Sequence, residues 1–217
     1  MSNYDTMIFD LDGTLLDTIE DLTDSVNHAL RLHGFPERTM TEVRRFVGNG
    51  ASRLIELSIP DGLANPLFEA CLAGFRDHYA ENMQKTRPYP GIPELLTRLS
   101  EQSFRLAIVS NKPDAAAKAL SREWFGALID VVIGESAGIP KKPDPATVHM
   151  ALKALCSAPS SCAYIGDSEV DVQTARNAGI PFIGVTWGFR DRETLIHSGA
   201  ERLVDTPGEL AGLLGWK

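Results

Sequence analysis

Short apolar runs alternate with longer amphipathic segments along most of this 217-residue chain. Five of these runs are too short for buried helices and are predicted to be buried strands: 7–9, 106–109, 131–133, 163–165 and 182–185. Between most of them, apolar residues recur at helical spacing, which predicts helices over 93–99, 114–120, 145–155 and 171–178. This alternation predicts an α/β fold with a parallel sheet.

One interval breaks the alternation. Between the first strand and the strand at 106–109, the chain is far longer than one crossover requires, and it contains no convincing strand. A helix is predicted after Thr18 as N-cap, and others from about residue 41, over 51–58 and from an Asn65-Pro66 start. Such an insertion would form a small helical cap above the sheet. The predicted domains are an α/β core of residues 1–16 and 88–217 and a helical cap of residues 17–87.

The composition argues against nucleic-acid and membrane partners. A net charge of −8 and a pI near 5.1 oppose binding to phosphate backbones and anionic membranes, which depends on Lys and Arg. No apolar stretch reaches transmembrane length, and the first strand begins too early to leave space for a signal peptide, so we expect a cytoplasmic protein. The three cysteines are widely spaced among apolar residues, which favours core packing over a disulfide or a zinc site.

Two carboxylates directly follow the first predicted strand. Asp10 and Asp12 lie where α/β proteins bind ligands, beyond the carboxyl end of a strand, and Gly13 permits a sharp turn there. A polar turn with no chemical role would have the same composition, because Asp and Gly favour turns for local reasons. This segment alone leaves both interpretations open.

The carboxyl ends of three later strands, or the loops just after them, supply further polar groups. These are Ser110 and Asn111, then Lys141 and Lys142, then Asp167 and Asp171. Each group alone fits an ordinary helix cap or a solvated charge, but together they converge on one edge of the sheet. Uncompensated acids there would repel one another and raise some of their pKa values. Oxygen ligands without a His or Cys cluster favour a hard cation, and Mg²⁺ suits them best.

This order of motifs resembles the haloacid dehalogenase superfamily of aspartate-dependent phosphotransferases. The resemblance spans nearly the whole chain. It is carried by Asp10-Leu11-Asp12-Gly13-Thr14, Ser110-Asn111, Lys142-Pro143 and Gly166-Asp167-Ser168 through Asp171. The resemblance implies a Rossmann-like parallel sheet core flanked by helices, with an inserted α-helical cap domain.

The same resemblance implies a role for each matching residue. Asp10 would be the nucleophile that takes the phosphoryl group, and Asp12 the acid that protonates the leaving oxygen and later activates water. Lys142 would relieve the charge repulsion of that attack. The remaining implied positions are Mg²⁺ ligands at Asp10, the Asp12 backbone carbonyl and Asp167, with Asp171 in support, and phosphate-binding groups at Thr14, Ser110 and Asn111.

Individual residues and two short segments indicate which branch of the superfamily this chain resembles. Asp12 argues against a true dehalogenase, which lacks this acid, and Leu22 stands where beta-phosphoglucomutases have a histidine. The segments Arg45-Phe46-Val47-Gly48-Asn49-Gly50 and Trp187-Gly188-Phe189 are similar to the phosphoglycolate phosphatase branch. The glycines at 48 and 50 would let a loop with Asn49 approach the substrate, where Arg44 or Arg45 could meet a small carboxylate. The alternative is a helix junction with solvated arginines.

We therefore predict a Mg²⁺-dependent phosphatase that hydrolyses a small phosphorylated metabolite through an aspartyl-phosphate intermediate, with 2-phosphoglycolate as the expected substrate. Pyrophosphate, a sugar phosphate or a nucleotide stay open as substrates. A non-enzymatic Mg²⁺-dependent phosphate sensor is the alternative from another class, because receiver domains also cluster acids and a lysine at a sheet edge. Receivers lack a helical insertion after the first strand, which favours the enzyme. The expected assembly is a monomer or a homodimer.

Overall fold

The structure is a computed structural model that describes residues 4–214. Within this range the chain forms two compact units. One consists of residues 4–16 together with residues 88–214, and the other of Asp17–Arg87. No helix among the described residues is both long and apolar enough to span a membrane.

The described residues contain eight strands. They are β1 (Thr6–Phe9), β2 (Leu16–Asp17), β3 (Arg87–Pro88), β4 (Arg105–Pro113), β5 (Val131–Glu135), β6 (Cys162–Gly166), β7 (Phe182–Val185) and β8 (Leu203–Val204). Six of them form one parallel sheet in the order β5-β4-β1-β6-β7-β8. The strands β2 and β3 pair with each other where the chain passes between the two units. All five predicted strands are present, whereas β2, β3 and β8, with two residues each, are too short to leave a recognisable pattern. The strands β2 and β3 lie in the interval that was predicted to contain no strand.

The same part of the chain, residues 4–214, contains ten α-helices. They are α1 (Ile19–Leu32), α2 (Met40–Phe46), α3 (Gly50–Ser58), α4 (Phe68–Glu81), α5 (Ile92–Glu101), α6 (Asp114–Phe125), α7 (Ala146–Ala154), α8 (Glu169–Ala178), α9 (Arg192–His197) and α10 (Pro207–Leu213). The first four belong to the second unit and the others to the first. Helix α8 ends at Gly179, whose φ of 68° is the left-handed conformation expected of a glycine stop.

The predicted start of α4 is wrong. Its N-cap is Leu67, not Asn65, and Pro66 lies before the helix. A 3-10 turn over Gly62–Ala64 keeps the chain turning, and the Asn65 side chain accepts a hydrogen bond from the Leu67 amide at 2.9 Å. Asn65 therefore closes a local Asx-type turn, a use of asparagine that competes with helix capping.

The core of the first unit lies around the central strand β1. Its four residues are fully or almost fully buried, because β1 lies between β4 and β6 with apolar side chains on both faces. The parallel pairing places the carboxyl ends of β1, β4 and β6 at one edge of the sheet. The loops after these three strands are therefore neighbours.

Candidate active site

Asp10 lies directly at the end of β1 and is buried. Its backbone amide donates to the Ile165 carbonyl on β6 at 2.9 Å, and its own Oδ1 accepts a hydrogen bond from the Leu11 amide at 2.7 Å. Gly13 then turns the chain with a φ of 86°. A Cβ at that position would overlap the Asp167 carboxylate, so the turn needs glycine for space as well as for conformation.

Lys142 is a buried cation beside Asp10. Its side chain is 2% exposed, and its Nζ lies 2.9 Å from Asp10 Oδ1 and 2.8 Å from Asp171 Oδ1. Nζ also donates to the Tyr164 hydroxyl at 3.1 Å. The ammonium is therefore held by Asp10 at the end of β1, by Tyr164 within β6 and by Asp171 in α8, and the first of these is the predicted nucleophile.

Asn111 holds the backbone of Lys142. Its Nδ2 donates to the Lys142 carbonyl at 3.0 Å, and its Oδ1 accepts from the Lys142 amide at 2.9 Å. Its side chain, predicted to contact phosphate, therefore positions the lysine in this structure. Ser110, beside it on β4, is buried, and its Oγ accepts from the Lys112 amide at 3.3 Å.

Three buried acids form a cluster able to hold a metal ion. Asp10, Asp167 and Asp171 each offer a carboxylate oxygen, and these oxygens lie within 4.8 Å of one another. The Asp12 side chain is outside this trio, which is compatible with its expected contribution through the backbone carbonyl.

Both carboxylate oxygens of Asp171 already accept hydrogen bonds. Oδ1 accepts from Lys142 and from the Tyr164 hydroxyl at 3.2 Å, and Oδ2 accepts from the amide and hydroxyl of Ser168 at 3.1 and 2.6 Å. The Ser168 contacts belong to a capping box that begins α8. Asp171 is thus better placed to orient its neighbours than to bind a cation directly.

Asp167 receives one hydrogen bond on each carboxylate oxygen. The Thr14 hydroxyl donates to Oδ1 at 2.9 Å, and the Phe189 amide donates to Oδ2 at 2.8 Å. Each oxygen keeps a further lone pair for another ligand. Thr14, predicted to bind substrate or phosphate, uses its hydroxyl here to orient Asp167.

Burial changes the acid–base behaviour of two of these acids. It raises the pKa of Asp10 to about 7, with Asp171 and Asp12 adding repulsion against the opposing effect of Lys142. It raises the pKa of Asp167 to about 8, again with repulsion from Asp171 and Asp10. Repulsion among the acids was expected from the sequence, but loss of hydration is the larger cause.

Lys142 keeps its proton despite its burial. Loss of hydration opposes the ammonium charge, but the carboxylates of Asp10 and Asp171 outweigh it and hold the pKa of Lys142 well above 10.5. The site therefore carries a permanent buried positive charge in contact with Asp10.

Residues 7–185 match the haloacid dehalogenase-like hydrolase family. The chain belongs to this family. It is 35% identical over 205 residues to a phosphoglycolate phosphatase of Pseudomonas putida, covering 92% of this hydrolase and 75% of the relative. It is 36% identical over 191 residues to a phosphoglycolate phosphatase of Rhodobacter capsulatus, covering 85% of each chain.

Solved structures of similar proteins share the fold of this hydrolase. The crystal structure of a candidate phosphoglycolate phosphatase from Lactobacillus delbrueckii subsp. bulgaricus superimposes with a TM-score of 0.93 at 35% identity, covering 97% of this hydrolase and 98% of that chain. The predicted family and parallel α/β fold are confirmed. Together the family and these relatives support a phosphoric monoester hydrolase, the predicted enzyme class.

Lys112 is a site residue that was not predicted. Its buried Nζ lies 2.8 Å from Asp12 Oδ1, so the second acid of this hydrolase also has a lysine partner. The available signal was its place directly after Ser110 and Asn111 at the same strand end. A charged side chain at the end of a buried strand needs a charged partner, and Asp12 is the partner it has.

Tyr164 is the second residue that was missed. It is fully buried in β6, and its hydroxyl contacts Lys142, Asp171 and the Val109 carbonyl. A tyrosine in an otherwise apolar strand was a usable signal, since its buried hydroxyl must find a partner. Burial raises the pKa of Tyr164 well above 10, so it stays protonated.

The three predicted cap residues lie in the second unit of the hydrolase. Arg45 is exposed in the last turn of α2, and Gly48 has a φ of 125° in the short connection to α3. Asn49 is the N-cap of α3, without a side-chain capping bond. Gly50, the first residue of α3, also has a positive φ, so the junction between α2 and α3 needs both glycines for conformational reasons.

Proposed function

We propose that this hydrolase is a Mg²⁺-dependent phosphatase that transfers the phosphoryl group of a small phosphomonoester first to Asp10 and then to water. The observation that carries the proposal is the position of Asp10, at a strand end, within an acid trio and 2.9 Å from the Lys142 ammonium. A nucleophilic carboxylate needs such positive charge, because it must approach an anionic phosphate.

The donor set fits a divalent cation. Asp10 and Asp167 are buried acids with raised pKa values, and Asp167 retains a free lone pair on each oxygen after its two hydrogen bonds. Oxygen donors of this kind suit Mg²⁺. Asp10, Asp167 and the Asp12 carbonyl would hold the ion, and Asp171 would support these ligands without binding the ion directly. When bound, Mg²⁺ neutralises the acids and stabilises negative charge on the transferring group.

The residues of the chain divide the reaction into two displacements. In the first, an Asp10 carboxylate oxygen forms a bond to phosphorus while the ester P–O bond breaks, and Asp12 gives its proton to the leaving oxygen. In the second, Asp12 takes a proton from water, whose oxygen attacks phosphorus and releases Asp10. Lys142 stabilises the negative charge on the phosphoryl oxygens in both displacements, and Ser110 binds the same oxygens. Lys112 orients the Asp12 carboxylate for both proton transfers.

The best-supported substrate is 2-phosphoglycolate. Support comes from the phosphoglycolate phosphatases to which the chain is similar and from two exposed arginines, Arg44 and Arg45, that could pair with a small carboxylate. Pyrophosphate, sugar phosphates and nucleotides are the competing substrates.

We also propose that residues 17–87 act as a cap that controls access to the site. The support is connectivity, because the chain leaves the core just after the Asp10 segment and returns through β3. An insertion at such a point commonly gates a site. A cytoplasmic location and a monomeric or homodimeric assembly stay predictions from the sequence.

A panel of phosphate esters tests this function. Phosphate release from 2-phosphoglycolate, pyrophosphate, sugar phosphates, a nucleotide and an aryl phosphate is measured with Mg²⁺ and with a chelator. We expect Mg²⁺-dependent turnover and the highest kcat/KM for 2-phosphoglycolate. Broad, weak activity would keep the phosphatase and reject this substrate. Stoichiometric phosphorylation without turnover would favour the phosphate sensor.

The arginine contact is tested by two neighbouring variants, Arg44→Ala and Arg45→Ala. Loss of a charge-assisted contact costs about 1.5–3 kcal/mol, so one variant is expected to lower kcat/KM for 2-phosphoglycolate by about 10- to 100-fold. An aryl phosphate without a carboxylate is the control substrate, and its kcat/KM should change little. An equal decrease in kcat/KM for both substrates would show that the arginine does not bind the carboxylate of 2-phosphoglycolate.

The acid cluster predicts that Mg²⁺ stabilises the protein more strongly at high pH. Folding raises the pKa of Asp10 from 3.8 to about 7 and that of Asp167 from 3.8 to about 8. At pH values between the unfolded and the folded pKa of each acid, the folded state therefore binds more protons than the unfolded state. The free energy of unfolding of the metal-free protein therefore falls as pH rises through that window. A cation competes with the same protons.

The measurement is the melting temperature with a chelator and with excess Mg²⁺, at about pH 6 and about pH 9. We expect a larger Mg²⁺-dependent increase at the higher pH, and loss of most of it in Asp167→Asn. An equal or smaller increase at the higher pH would contradict this description of the acid cluster.

A further inference from the structure

The loop that follows β7 contacts the acid cluster from a neighbouring strand. Strands β6 and β7 pair in parallel, with Gly166 beside Gly184, so the loops after them emerge at the same edge of the sheet. The loop after β6 carries Asp167, and the loop after β7 carries Trp187, Gly188 and Phe189. The proposed phosphoryl transfer uses neither Trp187 nor Gly188.

Three hydrogen-bonded contacts hold this second loop in place. The indole Nε1 of Trp187 donates to the Thr14 carbonyl at 3.0 Å, and the Phe189 amide donates to Asp167 Oδ2 at 2.8 Å. Arg190 Nε then donates to Glu169 in the first turn of α8 at 2.9 Å. The loop is thereby tied to the segment after β1 and to the segment after β6, the two segments that carry Asp10 and Asp167.

Gly188 allows the loop to approach this closely. A Cβ at Gly188 would overlap both the Gly13 carbonyl and the Asp167 side chain. Gly188 does not have a positive φ, so the requirement for glycine here is one of space and not of backbone conformation. Trp187 and Gly188 therefore act together. Trp187 binds the loop to the segment that carries Asp10, and Gly188 leaves the space that lets the loop pack against Asp167.

We propose that Trp187 and Gly188 are positioning residues that set the Mg²⁺ affinity of the site by fixing the Asp167 carboxylate against the Gly13–Thr14 turn. Thr14 is the link, because its hydroxyl donates to Asp167 Oδ1 while its carbonyl accepts from Trp187. Loss of the indole N–H releases this turn and lets the Asp167 carboxylate adopt other orientations. Partners that orient a metal ligand typically change affinity by about 10- to 100-fold. This inference rests on the proposed Mg²⁺-dependent function.

The test compares Trp187→Phe with the wild type. The variant keeps an aromatic ring and removes the N–H donor. We expect calorimetry of the substrate-free protein to show Mg²⁺ binding weakened by about 10-fold or more. The Mg²⁺ concentration for half-maximal activity should rise by the same factor, with kcat at saturating Mg²⁺ changed by less than about threefold. Trp124→Phe, at the far end of α6, is the matched control and should bind Mg²⁺ like the wild type.

A second variant keeps the proposal testable if Trp187→Phe does not fold. Gly188→Ala should weaken Mg²⁺ binding through the overlap with Asp167, whereas Gly212→Ala, with no neighbour within 4 Å of its added Cβ, should not. Unchanged Mg²⁺ affinity in the folded site variants would overturn the proposal, as would equal weakening in Trp124→Phe. If the wild type binds Mg²⁺ but releases no phosphate, only the phosphatase function is rejected. The proposed role of Trp187 and Gly188 can still be tested, because calorimetry measures the Mg²⁺ affinities without turnover. A wild type that binds no Mg²⁺ would reject both.

Discussion

Asp10→Asn is expected to lower kcat by about ten-thousand-fold or more while the protein stays folded. The amide preserves the size of the side chain, but it is a poor nucleophile. The substitution also removes the free-energy cost of burying the Asp10 carboxylate, which is apparent from the pKa of Asp10, raised to about 7 by loss of hydration. The melting temperature of the metal-free variant should therefore stay close to that of the wild type, and Lys142 keeps Asp171 as a partner.

Asp77→Asn is the matched control for this prediction. It makes the same chemical change at an exposed position of α4, and activity should stay within about twofold of the wild type. Turnover of the Asp10 variant at a rate near that of the wild type, after spontaneous deamidation is ruled out by mass spectrometry, would contradict a nucleophilic role for Asp10.

Lys142→Met is expected to reduce both stability and activity strongly. The change leaves Asp10 and Asp171 buried without their shared ammonium, and breaking such a pair costs about 3–5 kcal/mol of unfolding free energy near neutral pH. Loss of the charge that faces the transferring group should lower kcat by about 100- to 1000-fold. Chemical unfolding and steady-state kinetics measure the two effects separately.

Lys153→Met, on the exposed face of α7, controls for loss of a lysine as such. Activity is normalised to folded protein, so that instability is not counted as loss of catalysis. Lys142→Arg tests geometry, since a guanidinium keeps the charge but does not reproduce the compact contacts of Nζ. A folded Lys142→Met protein with kcat within about threefold of the wild type would remove Lys142 from the proposed chemistry.

The parallel sheet and the placement of the candidate site groups at one of its edges were predictable because their signals are local. A short apolar run followed by Asp-x-Asp-Gly marks a strand end, and the same combination of strand and polar loop recurs at Ser110, Lys142 and Asp167. Parallel strands then bring these ends to one edge without any knowledge of side-chain contacts. That placement predicts Lys142 and Asp10 at the same edge, and the structure shows Lys142 Nζ 2.9 Å from Asp10 Oδ1.

The partner of each polar group was not predictable, because it depends on contacts between residues far apart in the chain. Lys112 and Asp12 are 100 residues apart, and Trp187 and Thr14 are 173 apart. Neither pair leaves a periodic pattern in the sequence. The occupied oxygens of Asp171 likewise depend on Tyr164 and Ser168, whose side chains reach it only in the folded protein. Sequence patterns predict where such groups lie, whereas rotamers and packing decide which of them meet.

The nucleophilic role of Asp10 is tested most directly by identifying the phosphorylated residue. The enzyme is mixed with substrate and Mg²⁺, quenched rapidly with acid, digested and analysed by mass spectrometry. We expect one added phosphoryl group on Asp10, absent from Asp10→Asn and lost on continued incubation before the quench. Steady phosphate release with no modification of Asp10 at any quench time, or with the phosphoryl group on another residue, would contradict it.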